Sequence, residues 1–136
     1  GVLYSHFEAA DYIQAKRKQL WDTYAAELRN WTEENSVKRP FIPDHCEQSY
    51  HMFYLLMPDL ESRQRFIQYL KERDIMAVFH YVPLHTADMG LSFGYHPGDL
   101  PVTEEYSDRL VRLPFFNSMT AEEQQQVINA ILTFQI

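Results

Sequence analysis

Two histidines and a tyrosine stand where an apolar segment of the chain ends. Positions 75–85 read IMAVFHYVPLH, so this run delivers His80, Tyr81 and His85 to a segment that Pro83 stiffens. An imidazole and a phenol hydroxyl both donate hydrogen bonds to phosphate or carboxylate oxygens. We therefore predict that Tyr81 and His85, with His80 as a further candidate, contact an anionic ligand.

The geometry of a strand limits which of these groups can act together. Adjacent strand residues point to opposite faces, so His80 and Tyr81 are predicted to diverge, and only one of them faces a site with His85. The alternative interpretation of the same residues is a half-buried histidine and an aromatic ring that cover the core. The residues alone leave both interpretations open.

Arg112 is the remaining candidate for a binding site. It lies between Val111 and Leu113, and burying an unpaired guanidinium among apolar neighbours is costly. We therefore expect an acidic partner within the fold, exposure to solvent, or a bound anion such as a carboxylate held by two parallel hydrogen bonds.

The residue spacing does not favour metal or cysteine chemistry. None of the 6 histidines stands in an HExxH or CxxC ligand pattern, so we predict no metal site. Cys46 is the lone cysteine, and His45 and His51 beside it do not supply the positioned base and orienting group that a nucleophile needs. An internal disulfide is excluded, which is compatible with a reducing compartment.

The composition is that of a globular domain. The chain has 136 residues, of which 46% are hydrophobic, so we predict a single domain over residues 1–136. A formal charge of -7 with scattered basic residues argues against nucleic acid as a partner. The apolar windows are too short to cross a bilayer, and residues 1–20 lack a hydrophobic signal region. We expect a soluble cytoplasmic protein.

Hydrophobic periodicity predicts a long first helix. Apolar residues recur at helical spacing from Leu3 to about Trp31, which predicts one long amphipathic helix. Residues 1–35 are therefore expected to form a linking helix that precedes the rest of the domain. A helix broken once is an equally supported alternative. Part of the apolar stripe, such as Trp21, Tyr24 or Trp31, is expected to lie exposed and to allow self-association.

Residues 36–136 predict an α+β body, a small sheet of about three strands with helices mainly on one face. Runs rich in aliphatic and aromatic residues predict strands at Tyr50–Met57, at Ile75–Tyr81 and within Leu110–Pro114. Residues 84–102 hold glycines and prolines that predict a long irregular loop.

Capping residues mark the expected starts of the later helices. Asp59 or Ser62 is expected to cap one helix and Thr103 a short one, while Thr120 and Glu123 form a capping box at the last. The predicted apolar face of the first of these helices is formed by Phe66, Ile67 and Leu70. That of the last helix is formed by Val127, Ile128, Ile131 and Leu132.

Several segments together resemble a known protein family. They are Leu20-Trp21, HMFY at 51–54, FIQYLKE at 66–72, IMAVFHYVPLH at 75–85 and RLVRLP at 109–114. In this order they resemble the C-terminal region of the DegT/DnrJ/EryC1/StrS sugar-nucleotide aminotransferases, which are pyridoxal-phosphate enzymes of the aspartate-aminotransferase fold. The resemblance implies that the chain is the small C-terminal domain of such an enzyme.

The resemblance also implies how function is divided within the enzyme. The cofactor lysine would lie in a large domain that precedes Gly1, so we expect no catalytic or cofactor-binding residue and no bound pyridoxal phosphate in this chain. The HYxPLH segment would lie near the sugar-nucleotide entrance, which makes Tyr81 and His85 substrate-side residues with His80 behind them, and Arg112 is a further substrate-binding candidate.

The activity expected from the resemblance belongs to the whole enzyme, which would be a homodimer. It would transfer an amino group from glutamate to the 4-keto carbon of a dTDP-linked 6-deoxy sugar, and this chain would shape the sugar pocket. The alternative is a stand-alone binding or interaction module that shares the fold without catalysis.

Overall fold

A three-stranded antiparallel sheet organises the molecule. The computed structural model describes residues 8–136. The strands follow the order β1-β3-β2, so the strand that comes last in the sequence is central. Their bounds are Tyr54–Leu56 for β1, Val78–Phe79 for β2 and Leu110–Arg112 for β3. This arrangement confirms the predicted α+β class.

Helices α1 to α6 connect and cover the strands. Their bounds are Ala10–Glu27, Arg29–Glu34, Leu60–Lys71, Asp88–Ser92, Pro101–Arg109 and Ala121–Leu132. A 3-10 turn at Leu84–Thr86 precedes α4. Within residues 8–136, no helix combines the length and the apolar character needed to span a membrane.

The two sides of the sheet differ in burial. Leu55 and Val111 are register partners, and both are 0% exposed. Since side chains alternate along a strand, Tyr54, Arg112 and Val78 lie on the other side of the sheet. They form one row there, because Arg112 is opposite Tyr54 on β1 and opposite Val78 on β2. We call the side that carries this row the open face.

The core lies against the side of the sheet that carries Leu55 and Val111. Four helices contribute to the same buried cluster, namely α1, α2, α3 and α6. Their core residues are Leu20, Tyr24, Trp31, Phe66, Leu70, Val127, Ile128 and Ile131, and Leu28 between α1 and α2 belongs to the same cluster. Full burial of side chains of this size contributes about 1.5–3 kcal/mol each. The prediction that helices pack mainly on one face is confirmed.

The first helix is broken once, as in the alternative interpretation of its periodicity. Leu28 separates α1 from α2 with φ of -89° and ψ of 0°, which lies outside the helical region. After the break, Trp31 donates its indole N–H to the carbonyl of Phe134 at 3.2 Å. The predicted start near Leu3 lies outside the described residues.

The predicted exposure of the apolar stripe is wrong. Tyr24 is 0% exposed and Trp31 is 5% exposed, because both belong to the core cluster. Trp21 is half-buried, with its ring centroid 5.4 Å from that of Phe53. These side chains are therefore not the free surface through which self-association was expected.

The strands are shorter than predicted. Asp74 adopts a left-handed conformation with φ of 59°, and the N–H of Ile75 bonds to the carbonyl of Leu70. This closure of α3 delays the start of β2 to Val78. Tyr50 also has a positive φ of 48°, so the predicted first strand cannot run unbroken from that residue.

The capping predictions were correct where the partners lie within one turn. Asp59 caps α3 by accepting the N–H of Ser62 at 2.7 Å, and Thr120 forms both bonds of the capping box with Glu123. The prediction that Thr103 caps a helix is wrong, because α5 already begins at Pro101 and Thr103 lies inside it. Proline suits the first position of a helix, where the backbone N–H has no partner within the helix.

The predicted apolar faces of the two long later helices are largely confirmed. Phe66 and Leu70 of α3 are fully buried, and Ile67 packs against the core. On α6, Val127, Ile128 and Ile131 are buried. Leu132 is an error of the prediction, because it is 43% exposed at the end of the helix.

Substitution of the capping threonine is expected to destabilise the fold through α6. Thr120→Ala removes the acceptor for the N–H of Glu123, and loss of such a cap costs about 1 kcal/mol. Denaturant unfolding monitored by circular dichroism measures this loss. Ser118→Ala, at an exposed position just before the helix, is the control. Equal unfolding midpoints for the two variants would contradict the role of the cap.

Candidate functional site

Arg112 lies on the open face without an acidic partner. The carbon of its guanidinium is 5.8 Å from the centroid of the Tyr81 ring, and its Nε is buried without a hydrogen-bond partner. Five ion pairs are found in the described part of the chain, and none of them includes Arg112. One of the outcomes expected for Arg112 was an acidic partner within the fold. No such partner is found in residues 8–136.

His80 lies beside the same tyrosine. The ring centroids of His80 and Tyr81 are 4.5 Å apart in an edge-to-face arrangement, and Nδ1 of His80 is buried without a partner. Burial lowers the pKa of His80, and the nearby charges of Arg112 and His51 lower it further. The imidazole is therefore neutral at pH 7.

The prediction that His80 and Tyr81 diverge is wrong. The alternation rule applies within a strand, but β2 ends at Phe79 and both rings lie beyond that end. The chain turns there, and the two side chains come into contact. Two of the predicted site residues thus lie together, with Arg112 against the second of them.

A cleft of about 490 Å³ opens beside these residues. We call it the α5 cleft, because segment 80–84 forms one wall and α5 forms the other. The hydroxyl of Ser107 on α5 donates to the carbonyl of Tyr81 at 2.8 Å and ties the two walls together. Tyr106 and Leu110 also line the cleft. Its volume is in the range of small-molecule sites.

His85 lies apart from the other candidates. It is 5% exposed, and its Nε2 is 2.8 Å from Oε1 of Glu104 on α5. The same oxygen accepts the N–H of Gly98 at 2.7 Å. The hydrogen bond from His85, with the one from Gly98, holds the pKa of Glu104 below its usual value. Glu104 therefore joins the 3-10 turn, the loop before α5 and α5 itself.

A close approach at Gly90 fixes α4 against the 3-10 turn. A methyl group at Gly90 would lie 2.2 Å from the carbonyl oxygen of Leu84 and 2.6 Å from Cα of His85. Only glycine allows the two backbones to pack this closely. The region 84–102, predicted as an irregular loop, thus contains the 3-10 turn, α4 and the start of α5.

The structure brings together three of the four predicted site residues. His80, Tyr81 and Arg112 are neighbours, whereas His85 is held by Glu104. Glu104 is not among the site residues predicted from the sequence. The available signal is His85 itself, since a histidine in apolar surroundings needs a polar partner, but this signal does not say which acid is the partner.

The described residues do not fit the cofactor that the family resemblance implies. A lysine that forms an imine needs a desolvated position or a cationic neighbour that lowers its pKa. Lys18 instead pairs with Asp22, which raises its pKa, and Lys38 and Lys71 are exposed. Lys16 is half-buried on the charged helix α1. In residues 8–136, no group of 3 or more possible metal ligands comes together either.

Comparison with known proteins gives a consistent family assignment. Residues 1–132 match the model of the DegT/DnrJ/EryC1/StrS aminotransferase family. The pleiotropic regulatory protein of Geobacillus stearothermophilus is 31% identical over 98% of this chain and 35% of its own length. The dTDP-3-amino-3,6-dideoxy-alpha-D-galactopyranose transaminase of Aneurinibacillus thermoaerophilus is 27% identical over 70% of this chain and 26% of its own length.

A solved structure shows the same fold. DesV of S. venezuelae, determined in complex with a ketimine intermediate, aligns with a TM-score of 0.86 and 22% identity over 96% of this chain and 34% of that chain. The chain thus spans about a third of the length of the curated relatives that match most of it.

Removing the charge of Glu104 is expected to change how stability depends on pH. The lowered pKa means that Glu104 stabilises the fold above its ordinary value of 4.5, and that this contribution is lost as pH falls through the lower pKa of the folded state. Glu104→Gln should therefore melt below the parent at pH 7, with the difference vanishing in acid. Thermal melts across this range measure it, with the exposed Glu122→Gln as control. A difference that is independent of pH would argue against the pairing.

Enlarging Gly90 is expected to separate α4 from the 3-10 turn. Gly90→Ala places a methyl group against backbone atoms that cannot move aside, and overpacking of this kind costs about 1–3 kcal/mol. Hydrogen exchange should become faster at residues 84–93. Met89→Ala, an exposed position on the same helix, is the control. Unchanged protection in Gly90→Ala would show that the close approach is not required.

Proposed function

The chain belongs to the DegT/DnrJ/EryC1/StrS aminotransferase family, and from this membership we propose that it is the C-terminal small domain of a pyridoxal-phosphate-dependent sugar aminotransferase. The observation that carries the proposal is the family match over residues 1–132. The span of about a third of the relatives' length supports the division into a small domain and a remaining larger part.

The proposed substrate is a dTDP-linked 4-keto-6-deoxy sugar, with glutamate as the amino donor. The activity would then be that of a dTDP-4-amino-4,6-dideoxygalactose transaminase. Two relatives support dTDP-amino sugars as the substrate class, since both are named as dTDP-3-amino sugar transaminases. Those names place the amino group at carbon 3 of the sugar, so the test below includes both positions.

The proposed role of this chain is to bind and orient the substrate. Tyr81, His80 and Arg112 would contact it from the side of the α5 cleft. His85 remains a proposed contact, and it would have to use Nδ1, because Glu104 occupies Nε2. Pyridoxal phosphate and its lysine are assigned to the larger part of the protein, which we propose to be a cytoplasmic homodimer.

Exposed apolar side chains near the α5 cleft support this division. Leu84 is 87% exposed, Phe93 77%, Met89 67% and Val102 68%. Monomeric soluble proteins rarely expose apolar groups so close together, and such surfaces commonly meet other protein surfaces or ligands. The apolar surface thus lies around residues 84–102, where a neighbouring large domain would face the cleft.

The proposed activity is tested by comparing this chain with the product of the complete reading frame. Each is supplied with pyridoxal phosphate, glutamate and either the 4-keto or the 3-keto form of a dTDP-deoxy sugar. We expect the complete protein to produce 2-oxoglutarate with the 4-keto sugar and to show an imine absorbance band. The chain alone should show neither, because the described residues offer no suitable lysine.

Three results would contradict the proposal. An imine band in the chain alone, lost on Lys16→Ala or Lys71→Ala, would place the cofactor lysine here. A reading frame without a large domain would favour the stand-alone binding module. Turnover of the 3-keto sugar only would retain the aminotransferase and overturn the proposed 4-keto substrate.

A further inference from the structure

We propose that Arg112 and His80 form an oxyanion site on the open face of the sheet, which binds a carboxylate or phosphate group. The inference deepens the proposed function by naming the ligand chemistry of its substrate side, and it rests on that function only for the identity of the substrate. The binding site itself can be tested on this chain alone.

Arg112 differs from the other partly buried arginines in its hydrogen bonding. Within the described residues, Arg17, Arg39, Arg63 and Arg109 each donate a hydrogen bond to another part of the chain. Arg112 is equally half-buried, yet no side-chain hydrogen bond is found for it among residues 8–136. Nε of Arg63 is also unpartnered, but the same guanidinium is held by the carbonyl of Ser107, whereas no such contact is found for Arg112 in the described residues.

The backbone at Arg112 is held by strands on both sides. Arg112 lies on the central strand, with Tyr54 opposite it on one side and Val78 on the other. A backbone paired on both sides fixes the position of Cα, so little backbone conformational freedom remains to be lost on binding. The planar guanidinium also matches a carboxylate or a phosphate in two parallel hydrogen bonds.

A second unpartnered nitrogen belongs to a side chain next to the Tyr81 ring. Nδ1 of His80 is buried without a partner, and both His80 and Arg112 lie against Tyr81. Buried polar atoms are normally hydrogen-bonded, because leaving them unpaired is costly. Tyr81 as a residue is 68% exposed. An oxyanion could accept hydrogen bonds from Arg112, from an N–H of His80 and from the hydroxyl of Tyr81.

The local charge around His80 differs from the net charge of the chain. The chain carries 19 acidic residues against 12 basic ones. The groups that face His80 are nevertheless Arg112 on β3, His51 before β1 and Tyr81 after β2. With no carboxylate among these neighbours to compete for the guanidinium, an anionic group brought by a ligand is favoured over a neutral one.

Nuclear magnetic resonance of the histidine rings tests the site on this chain. Sodium phosphate and sodium glutamate are titrated separately at constant ionic strength, with sodium chloride as the reference salt. We expect saturable shifts of the His80 ring signals in the millimolar range and an upward shift of the pKa of His80 on binding. Saturation by either anion supports the site, and the tighter ligand shows whether it serves a carboxylate or a phosphate group.

Substitutions separate this site from general charge effects. Arg112→Ala should weaken binding by about tenfold or more, and Arg112→Lys should retain part of it because the charge remains. Arg29→Ala removes an exposed arginine on α2 and should leave binding unchanged. Circular dichroism confirms that each variant is folded. Equal binding by folded Arg112→Ala, or no saturable shift with either anion, would overturn the proposal.

Kinetics of the complete protein keep this inference distinct from the proposed function. Arg112→Ala should raise the KM for glutamate or for the sugar nucleotide about tenfold and leave kcat little changed. An unchanged KM for both substrates in an active enzyme would contradict the oxyanion site. Anion binding by the chain without any transamination by the complete protein would preserve the site and overturn the proposed function.

Discussion

The structure depends on the two-sided character of a very small sheet. The central strand places Val111 in the core and Arg112 on the opposite side, so adjacent residues have opposite environments. Helices α1, α2, α3 and α6 cover only the first side. Because the main apolar cluster lies on that side, the other side can carry polar groups that are not part of this cluster.

The segment between β2 and β3 supplies the walls of the α5 cleft. Its geometry depends on two local constraints, the contact of Glu104 with His85 and Gly98 and the close approach of backbones at Gly90. Both constraints lie outside the α5 cleft itself. They hold the chain that follows segment 80–84 against α4 and α5, while the hydroxyl of Ser107 holds the carbonyl of Tyr81.

The accuracy of sequence reasoning followed the range of the interactions involved. The caps at Asp59 and Thr120 were predictable because each is decided within one turn. The residue order also sufficed for the α+β class. The bond from His85 to Glu104 spans 19 positions, and nothing in the local sequence identifies which acid the histidine meets. The contact of His80 with Tyr81 was missed because it depends on where β2 ends.

The hydrogen-bonding state of the two histidines reverses the roles first expected for them. His85 was expected to reach the ligand, but its Nε2 is paired with Glu104 and therefore serves to hold the segment in place. His80 was expected to lie behind the site, yet its Nδ1 is unpartnered, as is Nε of Arg112. Nε of Arg63 is a third unsatisfied nitrogen among the described residues, but only those of His80 and Arg112 belong to side chains that lie against Tyr81. Such local departures concentrate at functional sites, and this asymmetry points to His80 and Arg112 as the groups available to a ligand.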